Sequence, residues 1–152
     1  RKTSATGVLS GALAGIAAIS ASAALVGTGG AMLIGVIAAI VCRIGAGILD
    51  GRIDDGASLF AIHGLGGLIG AILLPFFVLP LLGGVGFDVN ISLSSALISQ
   101  ISGLAAVALW AMIGTSMAAL IVSTMMPMRG PATDEADGLD IVQHGQQAWD
   151  FR

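Results

Sequence analysis

The sequence predicts an all-α membrane protein, a polytopic bundle of four transmembrane helices followed by a polar tail. Hydrophobic residues make up 56% of the 152 residues, charged residues make up 10%, and the mean hydropathy is +0.99. A water-soluble domain with so few charged side chains lacks the polar groups to cover its surface, so lipid is the expected solvent for much of the chain. Long apolar runs separated by short loops support the same conclusion.

The composition also argues against several classes of function. The chain has no basic patch and no interleaved aromatic run, so we expect no nucleic acid partner. The single Cys42 allows no internal disulfide and no cysteine cluster for a metal, and we expect neither a metal nor a cofactor. An enzyme would need a nucleophile–base pair or a metal cluster, and one histidine in a span with scattered serines supplies neither. We therefore do not expect an enzyme.

A transmembrane region over residues 1–126 is expected, because a span needs about 20 apolar residues to cross the bilayer. The predicted spans are residues 5–26, 31–49, 57–82 and 91–126. Thr28-Gly29-Gly30 is interpreted as the break between the first two spans. Pro75 and Pro80 are expected to kink or fray the third span. The fourth would be about 54 Å long, so it must tilt or protrude from the bilayer.

The positions of the basic residues predict the orientation. Four spans place both termini and the loop between the second and third spans on one side. That side collects every Lys and Arg of the chain, namely Arg1, Lys2, Arg43, Arg52, Arg129 and Arg152. By the positive-inside rule this side is cytoplasmic, and the tail, residues 127–152, is cytoplasmic with it. We therefore expect a multi-pass protein of the cell membrane.

The most informative stretch lies at the start of the third span. His63 is the one ionisable side chain inside a predicted span apart from Arg43, which lies near a span end and can extend its charge to the interface. Helical spacing places Leu59 and Phe60 before it on its face. Glycines follow it and allow close packing around it, namely Gly64, Gly66, Gly67 and Gly70. A neutral imidazole there can donate one hydrogen bond and accept another. From the residues alone, a histidine bonded to a neighbouring helix for packing is an equal alternative.

Four motifs, in order along the chain, resemble the ammonium transporter (Amt/Rh) family. The opening Gly7-x-x-Ser10-Gly11-Ala12-x-Ala14-Gly15 is similar to the start of the family's eighth helix. Asp54, Asp55, Phe60 and the His63-Gly64-x-x-Gly67 pattern are similar to the tenth helix. Leu82-Gly83-Gly84-Val85-Gly86-Phe87 looks like the external loop that follows it. The tail motif, Gly138-Leu139-Asp140 and then His144-Gly145-Gln146-Gln147-Ala148-Trp149, is similar to the family's terminal sequence.

The resemblance implies a specific architecture and activity. Family members have eleven helices, arranged as two inverted five-helix halves and a long tilted eleventh helix, and they assemble as homotrimers. This chain would supply helices eight to eleven. Each family protomer conducts ammonium or ammonia, with methylammonium as an analogue, through a narrow apolar pore with two central histidines. His63 matches the histidine of the second half, and Leu59 and Phe60 would line the pore beside it.

Several residues depart from the family pattern. Ser58 stands where an Asp is usual, five residues before His63, which puts the capping of this helix in doubt. Ser20-Ala21-Ser22-Ala23-Ala24 replaces a Thr-Pro-Ala break, and in the tail Gln146 and Trp149 replace Glu and Tyr. The resemblance implies that the tail contacts a neighbouring protomer and a P-II-type nitrogen-regulatory protein. Pro127, Pro131 and the acidic stretch Asp134-Glu135-Ala136-Asp137 predict that the tail is a solvated, irregular arm. The alternative to a regulatory role is a terminus that only keeps the protein soluble.

Two other interpretations remain. A proteolipid subunit of a rotary ATPase has a similar length and four Gly- and Ala-rich spans, but it needs a carboxylate in mid-span, and no predicted span carries one. The chain is also expected to be a C-terminal piece that cannot conduct alone. On that hypothesis, the DNA before the Arg1 codon encodes about seven further spans, the number that completes an eleven-helix protein at about 20 residues a span.

Overall fold

The computed structural model describes residues 4–53 and 55–145, and in these ranges it contains helices and loops but no strand. The predicted all-α fold class is confirmed. The helical elements in chain order are α1 (Ala5–Ile19), α2 (Thr28–Leu49), a 3-10 turn (Gly56–Ser58), a π-helix (Phe60–Leu65), α3 (Gly66–Phe77), a second 3-10 turn (Pro80–Leu82), α4 (Leu93–Met125), α5 (Ala132–Asp137) and α6 (Leu139–His144). The chain divides into two compact units, Arg1–Val107 and Ala108–Arg152, and α4 contributes to both.

Within the residues that the structure describes, three helical segments are long and apolar enough to cross a membrane. They are Thr28–Leu49, Gly56–Phe77 and Leu93–Met125. The helix α1 is apolar but has only 15 residues and ends at Ile19, well before the end of the predicted span 5–26. The membrane character of the protein is clear from these lengths, whereas the four-span topology stays a prediction.

Serine side chains explain why α1 begins and ends where it does. Ser4 accepts a hydrogen bond from the backbone N–H of Gly7 at 3.1 Å, which caps the first turn. At the other end, the hydroxyl of Ser20 donates to the carbonyl of Ala17 at 2.7 Å and that of Ser22 donates to Ile19 at 3.4 Å. Serines that bond to nearby carbonyls compete with helix continuation. These bonds end the helix without a proline.

The interpretation of Thr28-Gly29-Gly30 as a break between spans is wrong, because these residues form the first turn of α2. The chain reverses earlier and is extended at Gly27, the N-cap, with ψ 170°. Gly27 also lies against the loop after α3, where a Cβ would meet the carbonyl carbon of Gly83 at 2.6 Å. The same two loops are joined by a hydrogen bond from the N–H of Val85 to the carbonyl of Leu25 at 3.1 Å.

In the first unit, α1, α2 and the Gly56–Phe77 segment pack around small apolar side chains. One buried cluster contains Ala14, Cys42 and Ile62, and a second contains Ala18, Ile34 and Ala38. The α1 and α2 backbones approach closely at Gly15, where a Cβ would lie 3.6 Å from the Cα of Gly35. Small residues at such crossings are typical of helix packing in membranes, where apolar burial gives little driving force.

The second unit holds the end of α4 and the tail helices α5 and α6. Over Ala132–His144 the expectation of an irregular tail is wrong, because two short helices form there, joined at Gly138 with φ +95°. Arg129 and Glu135 form an ion pair of 3.2 Å that spans the turn before α5. The helix α4 has 33 residues, none of them buried. An unbroken helix of that length agrees with the single long span predicted over residues 91–126.

Candidate functional site

The third helical segment begins in an unusual backbone conformation. Ala57 and Ser58 both have positive φ, at +56° and +55°, in the left-handed region that residues with a Cβ rarely adopt. The N–H of Ser58 donates to the carbonyl of Asp55 at 3.0 Å, which closes the turn. The helix that carries His63 begins directly after this turn.

Asp55 caps this helix with both carboxylate oxygens. Its Oδ1 accepts from the N–H of Phe60 at 2.9 Å, and its Oδ2 accepts from the N–H of Ala61 at 3.2 Å. A carboxylate at a helix N-terminus satisfies unpaired amides and interacts favourably with the helix dipole. Capping is therefore provided although Ser58 stands where the family pattern has an acid. Asp54, the other predicted residue of this loop, lies outside the described residues.

His63 lies in a π-helix, Phe60–Leu65, rather than in an ordinary α-helix. A π-helix accommodates an extra residue in the turn and often occurs at functional sites. The α-helical pattern resumes after it, and the N–H of Gly66 donates to the carbonyl of His63. Across the interface, the Cys42 thiol lies 4.0 Å from the carbonyl oxygen of Ile62, in a buried contact. This contact packs the π-helix against α2.

The two sides of the π-helix have opposite environments. Ala61 and Ile62 are 0% and 4% exposed, and they pack into the bundle. Leu59 and Phe60 are 57% and 55% exposed, and His63 is exposed with them. Within the described residues, the imidazole has no hydrogen-bond partner. The structure therefore brings the three predicted pore residues to one apolar face that this part of the chain leaves uncovered.

The four predicted glycines have different surroundings. Gly66 is buried, and a Cβ there would meet the Cys42 sulfur at 3.5 Å, while Gly70 is buried against the backbone of Ala18. Gly64 lies under the ring of Phe60, where an added Cβ would stand 3.1 Å from the nearest ring carbon. A Cβ at Gly67 would meet nothing within 4 Å. Only Gly66 and Gly70 of this set lie at contacts with other helices.

The predicted tail residues are spread over α6 and its ends. Gly138, with positive φ, precedes the helix, Leu139 and Asp140 begin it, and His144 ends it. Gly145 follows with φ +65°. Trp149 lies outside the described residues. His144 is exposed and belongs to the second unit, whereas His63 belongs to the first.

Comparison with known proteins agrees with these features. A family model described as the Ammonium Transporter Family matches residues 1–149. The chain belongs to this family. It is 32% identical over 149 residues to an ammonium transporter of Archaeoglobus fulgidus, covering 97% of the chain and 38% of that relative. An ammonium transporter of Bacillus subtilis is 33% identical over 152 residues, covering 98% of the chain and 38% of the relative.

A third relative, an ammonium transporter of Aquifex aeolicus, is 30% identical over 152 residues, covering 99% of the chain and 36% of the relative. The chain thus spans less than two fifths of the length of the curated relatives it matches. The predicted family is confirmed across nearly the whole chain, and the long apolar helices agree with a membrane protein.

Three features of the site were not predicted from the sequence. The π-helix has no recognised sequence signal, because Phe-Ala-Ile-His-Gly-Leu also suits an α-helix. The left-handed turn at Ala57 and Ser58 contradicts the usual preferences of both residues. The contact of Cys42 with the histidine turn depends on packing of distant segments. The capping role of Asp55, in contrast, has a sequence signal in an acid just before an apolar helix.

Proposed function

We propose that this chain forms one wall of a pore that carries ammonia across the cell membrane. In that wall, the imidazole of His63 forms hydrogen bonds with the passing ammonia. The observation that carries the proposal is the uncovered face of Leu59, Phe60 and His63, opposite the buried Ala61 and Ile62. A single imidazole on an apolar face, with no described partner, is available to a small ligand. The proposal accounts for an intramembrane ionisable residue that packing does not use.

Physical chemistry favours the neutral amine at such a face. Moving an isolated small cation into a medium of low dielectric constant costs on the order of tens of kcal/mol. Neutral ammonia avoids that cost and needs only hydrogen-bond partners, which a neutral imidazole offers as donor and acceptor. Leu59 and Phe60 exclude water and alkali cations, so the proton of ammonium stays behind or crosses separately. The protein acts in this proposal as a transporter and not as an enzyme.

The face must be covered for a pore to exist. A wall on one side cannot enclose a path, and a histidine facing lipid would lose hydrogen bonds to water without gaining others. We propose that polypeptide outside residues 1–152 supplies the opposite wall, in a homotrimer of such protomers. The length of the relatives, of which this chain covers 36–38%, supports that assignment. The tail is proposed to bind a P-II-type regulatory protein on the cytoplasmic side.

The test compares two preparations in liposomes. The natural protein that contains these residues is expected to give saturable methylammonium uptake, whereas the 152-residue chain alone is expected to give no flux above protein-free liposomes. Robust flux through the isolated chain would contradict the two-walled pore and indicate a self-sufficient homo-oligomeric channel. The absence of flux through the natural protein, at verified incorporation, would contradict the transport function itself.

A further inference from the structure

A cavity of about 730 Å³ lies between the start of α1, the second half of α2 and the turn before the π-helix. On the π-helix its wall is the buried Ile62, whereas Leu59, Phe60 and His63 do not line it. The cavity is therefore separate from the uncovered face that the proposed pore uses.

The antiparallel packing of α1 and α2 shows which residues face each other across this cavity. One turn closer to the start of α1 than the crossing at Gly15, a Cβ at Gly11 would lie 4.0 Å from the Cβ of Ala39. One further turn along each helix are Gly7 and Arg43, and both line the cavity. Because Gly7 and Gly11 have no side chains, the wall of α1 leaves open space beside Arg43.

Arg43 carries the one charge among the described residues that line the cavity. Its guanidinium stays protonated at any physiological pH and has five N–H donors. No carboxylate within the described residues forms an ion pair with it. The carboxylate of Asp55 is bound to the amides of Phe60 and Ala61 and does not line the cavity. The described lining is therefore positively charged.

Hydroxyl groups supply further hydrogen-bond donors around the same cavity. Ser10 and Ser58 line it, are half-buried, and make no side-chain hydrogen bond within the described residues. The Oγ of Ser4 accepts from the N–H of Gly7 at 3.1 Å and from the hydroxyl of Thr6 at 3.4 Å, so its own proton is available to another acceptor. A cavity that combines a guanidinium with such hydroxyls is complementary to an anion.

The apolar part of the lining indicates where such an anion would come from. Ile40 and Ile44 line the cavity and are 56% and 57% exposed, on a helix that is long and apolar enough to cross a membrane. Arg43 lies between them, six residues before Leu49, the last residue of α2. That is about 9 Å along the helix axis, close to the end of the span. Basic pockets between helices at this depth bind lipid headgroups.

We infer that this cavity binds a phosphate group, with Arg43 as its charged ligand and the hydroxyls of Ser10 and Ser58 as further donors. A planar guanidinium can form two parallel hydrogen bonds to a phosphate. The headgroup of an anionic phospholipid and a soluble phosphate offer the same binding chemistry. Ile40 and Ile44 favour the lipid, because they can contact its acyl chains. The inference does not depend on the proposed transport function.

The experiment measures lipid binding to the natural protein, purified in detergent and depleted of lipid, by native mass spectrometry. One probe is dioctanoyl phosphatidylglycerol, which is anionic. The other is dioctanoyl phosphatidylcholine, whose phosphate is already accompanied by a choline cation. Inorganic phosphate is added in a separate series as a competitor of phosphatidylglycerol.

Three variants are compared with the unmodified protein. Arg43→Met removes the charge and keeps an unbranched side chain, and a double variant, Ser10→Ala with Ser58→Ala, removes the hydroxyls. Arg52→Met is the matched control, because Arg52 is an exposed arginine that does not line the cavity. All variants are checked for assembly by size-exclusion chromatography.

For Arg43→Met we expect the affinity for phosphatidylglycerol to fall about tenfold, the size of one charged hydrogen-bonding contact at an exposed site. The double serine variant should lose about threefold, since neutral hydrogen bonds contribute less. Arg52→Met should keep the original affinity, and phosphatidylcholine should bind the unmodified protein more weakly than phosphatidylglycerol. Displacement of the lipid by inorganic phosphate would assign the site to soluble phosphate, and retention of the lipid would assign it to the headgroup.

Three results would overturn the inference. They are equal affinities for the two lipids, an unchanged affinity for phosphatidylglycerol in Arg43→Met, and an equal loss in Arg52→Met. The second result is also expected if polypeptide outside residues 1–152 fills the cavity. If Arg43→Met does not assemble, the double serine variant decides, and an unchanged affinity there overturns the inference. A failure of the proposed transport function is seen separately, as the absence of methylammonium uptake, and leaves these affinities unaffected.

Discussion

The backbone of Gly70 lies against the backbone of Ala18, so close that a Cβ added to Gly70 would stand 2.7 Å from the Cα of Ala18. Ala18 is completely buried, and the atoms that a Cβ would meet belong to the backbone and cannot turn away as a side chain can. This contact sets the distance between α1 and α3. Since α3 continues directly from the π-helix, it also helps to fix the position of His63.

The first prediction uses two glycines on the same helix. Gly70→Ala is expected to destabilise the bundle by about 1–3 kcal/mol, because the added methyl forces α1 and α3 apart. Gly67→Ala is the matched control, since a Cβ there meets nothing within 4 Å, and we expect a change within about 0.5 kcal/mol. Thermal unfolding of both variants of the natural protein measures the difference. Equal melting temperatures would contradict the close contact of α1 and α3.

The second prediction concerns the cap at Asp55. Asp55→Ala leaves the amides of Phe60 and Ala61 without their acceptors, and loss of such a cap costs about 0.5–2 kcal/mol. Asp55→Asn keeps one acceptor oxygen but loses the charge, so an intermediate effect is expected. Thermal unfolding gives the cost, and methylammonium uptake per assembled protein shows whether the histidine turn is displaced.

Asp50→Asn is the control for the Asp55 variants, because Asp50 is an exposed acid in the preceding turn and makes no side-chain hydrogen bond within the described residues. It should match the unmodified protein in both measurements. If Asp55→Ala unfolds at the same temperature as Asp50→Asn, the carboxylate does not stabilise this helix.

The helical class, the family and the apolar segments could be predicted from the sequence, because composition and local motifs determine them. The length of α1 could not, since the serines after Ile19 are compatible with a helix until their hydroxyls bond to carbonyls. The turn at Gly27 was misplaced because it depends on a contact with Gly83, which is far along the chain. Both errors concern contacts that local sequence patterns do not reveal.

In the candidate site, too, some features could be predicted from the sequence and others could not. The identity of His63 and its apolar neighbours Leu59 and Phe60 was visible in helical spacing, and the structure places these residues on one uncovered face. The π-helix was not visible, because local propensity barely distinguishes it from an α-helix. Arg43 was noted only for its distance from a span end, and its position on a cavity wall depends on how three segments pack.

The third prediction tests the topology. Single cysteines at Asn90 and Thr133, in a background with Cys42→Ala, are expected to react with a membrane-impermeant reagent from opposite faces of the membrane. Asn90 lies in the loop before α4, Thr133 lies in α5, and a single span is predicted between them. Labelling is compared in inside-out and right-side-out vesicles. Reaction of both cysteines from the same face would contradict the predicted topology.

The fourth prediction concerns the tail. Deletion of residues 138–152 from the natural protein is expected to abolish binding of a purified P-II-type protein while the proposed homotrimer still assembles. These residues carry the family tail motif and are exposed over most of the part that the structure describes. A pull-down measures binding, and size-exclusion chromatography measures assembly. Unchanged binding after the deletion would indicate that the tail only keeps the protein soluble.

The last prediction concerns His63, and it separates a pore residue from a packing residue. His63→Ala in the natural protein is expected to change selectivity or coupling more than stability. The imidazole is exposed and has no hydrogen-bond partner among the described residues, so its removal leaves no described buried group unpaired. A packing histidine behaves differently, because its loss leaves a buried partner unsatisfied, at a cost of about 1–3 kcal/mol.

Thermal stability, methylammonium-driven current and potassium permeability are measured on the same preparations. His63→Asp is included because a carboxyl group also holds or relays a proton, so conduction should be partly kept while discrimination against potassium changes. His144→Ala is the control, since His144 is exposed in the tail and should alter neither flux nor selectivity. If His63→Ala lowers stability while flux per assembled protein and selectivity stay unchanged, His63 is a packing residue. Unchanged flux without the imidazole would mean that conduction does not depend on His63. The face of Leu59, Phe60 and His63 would then be assigned to contact with another helix.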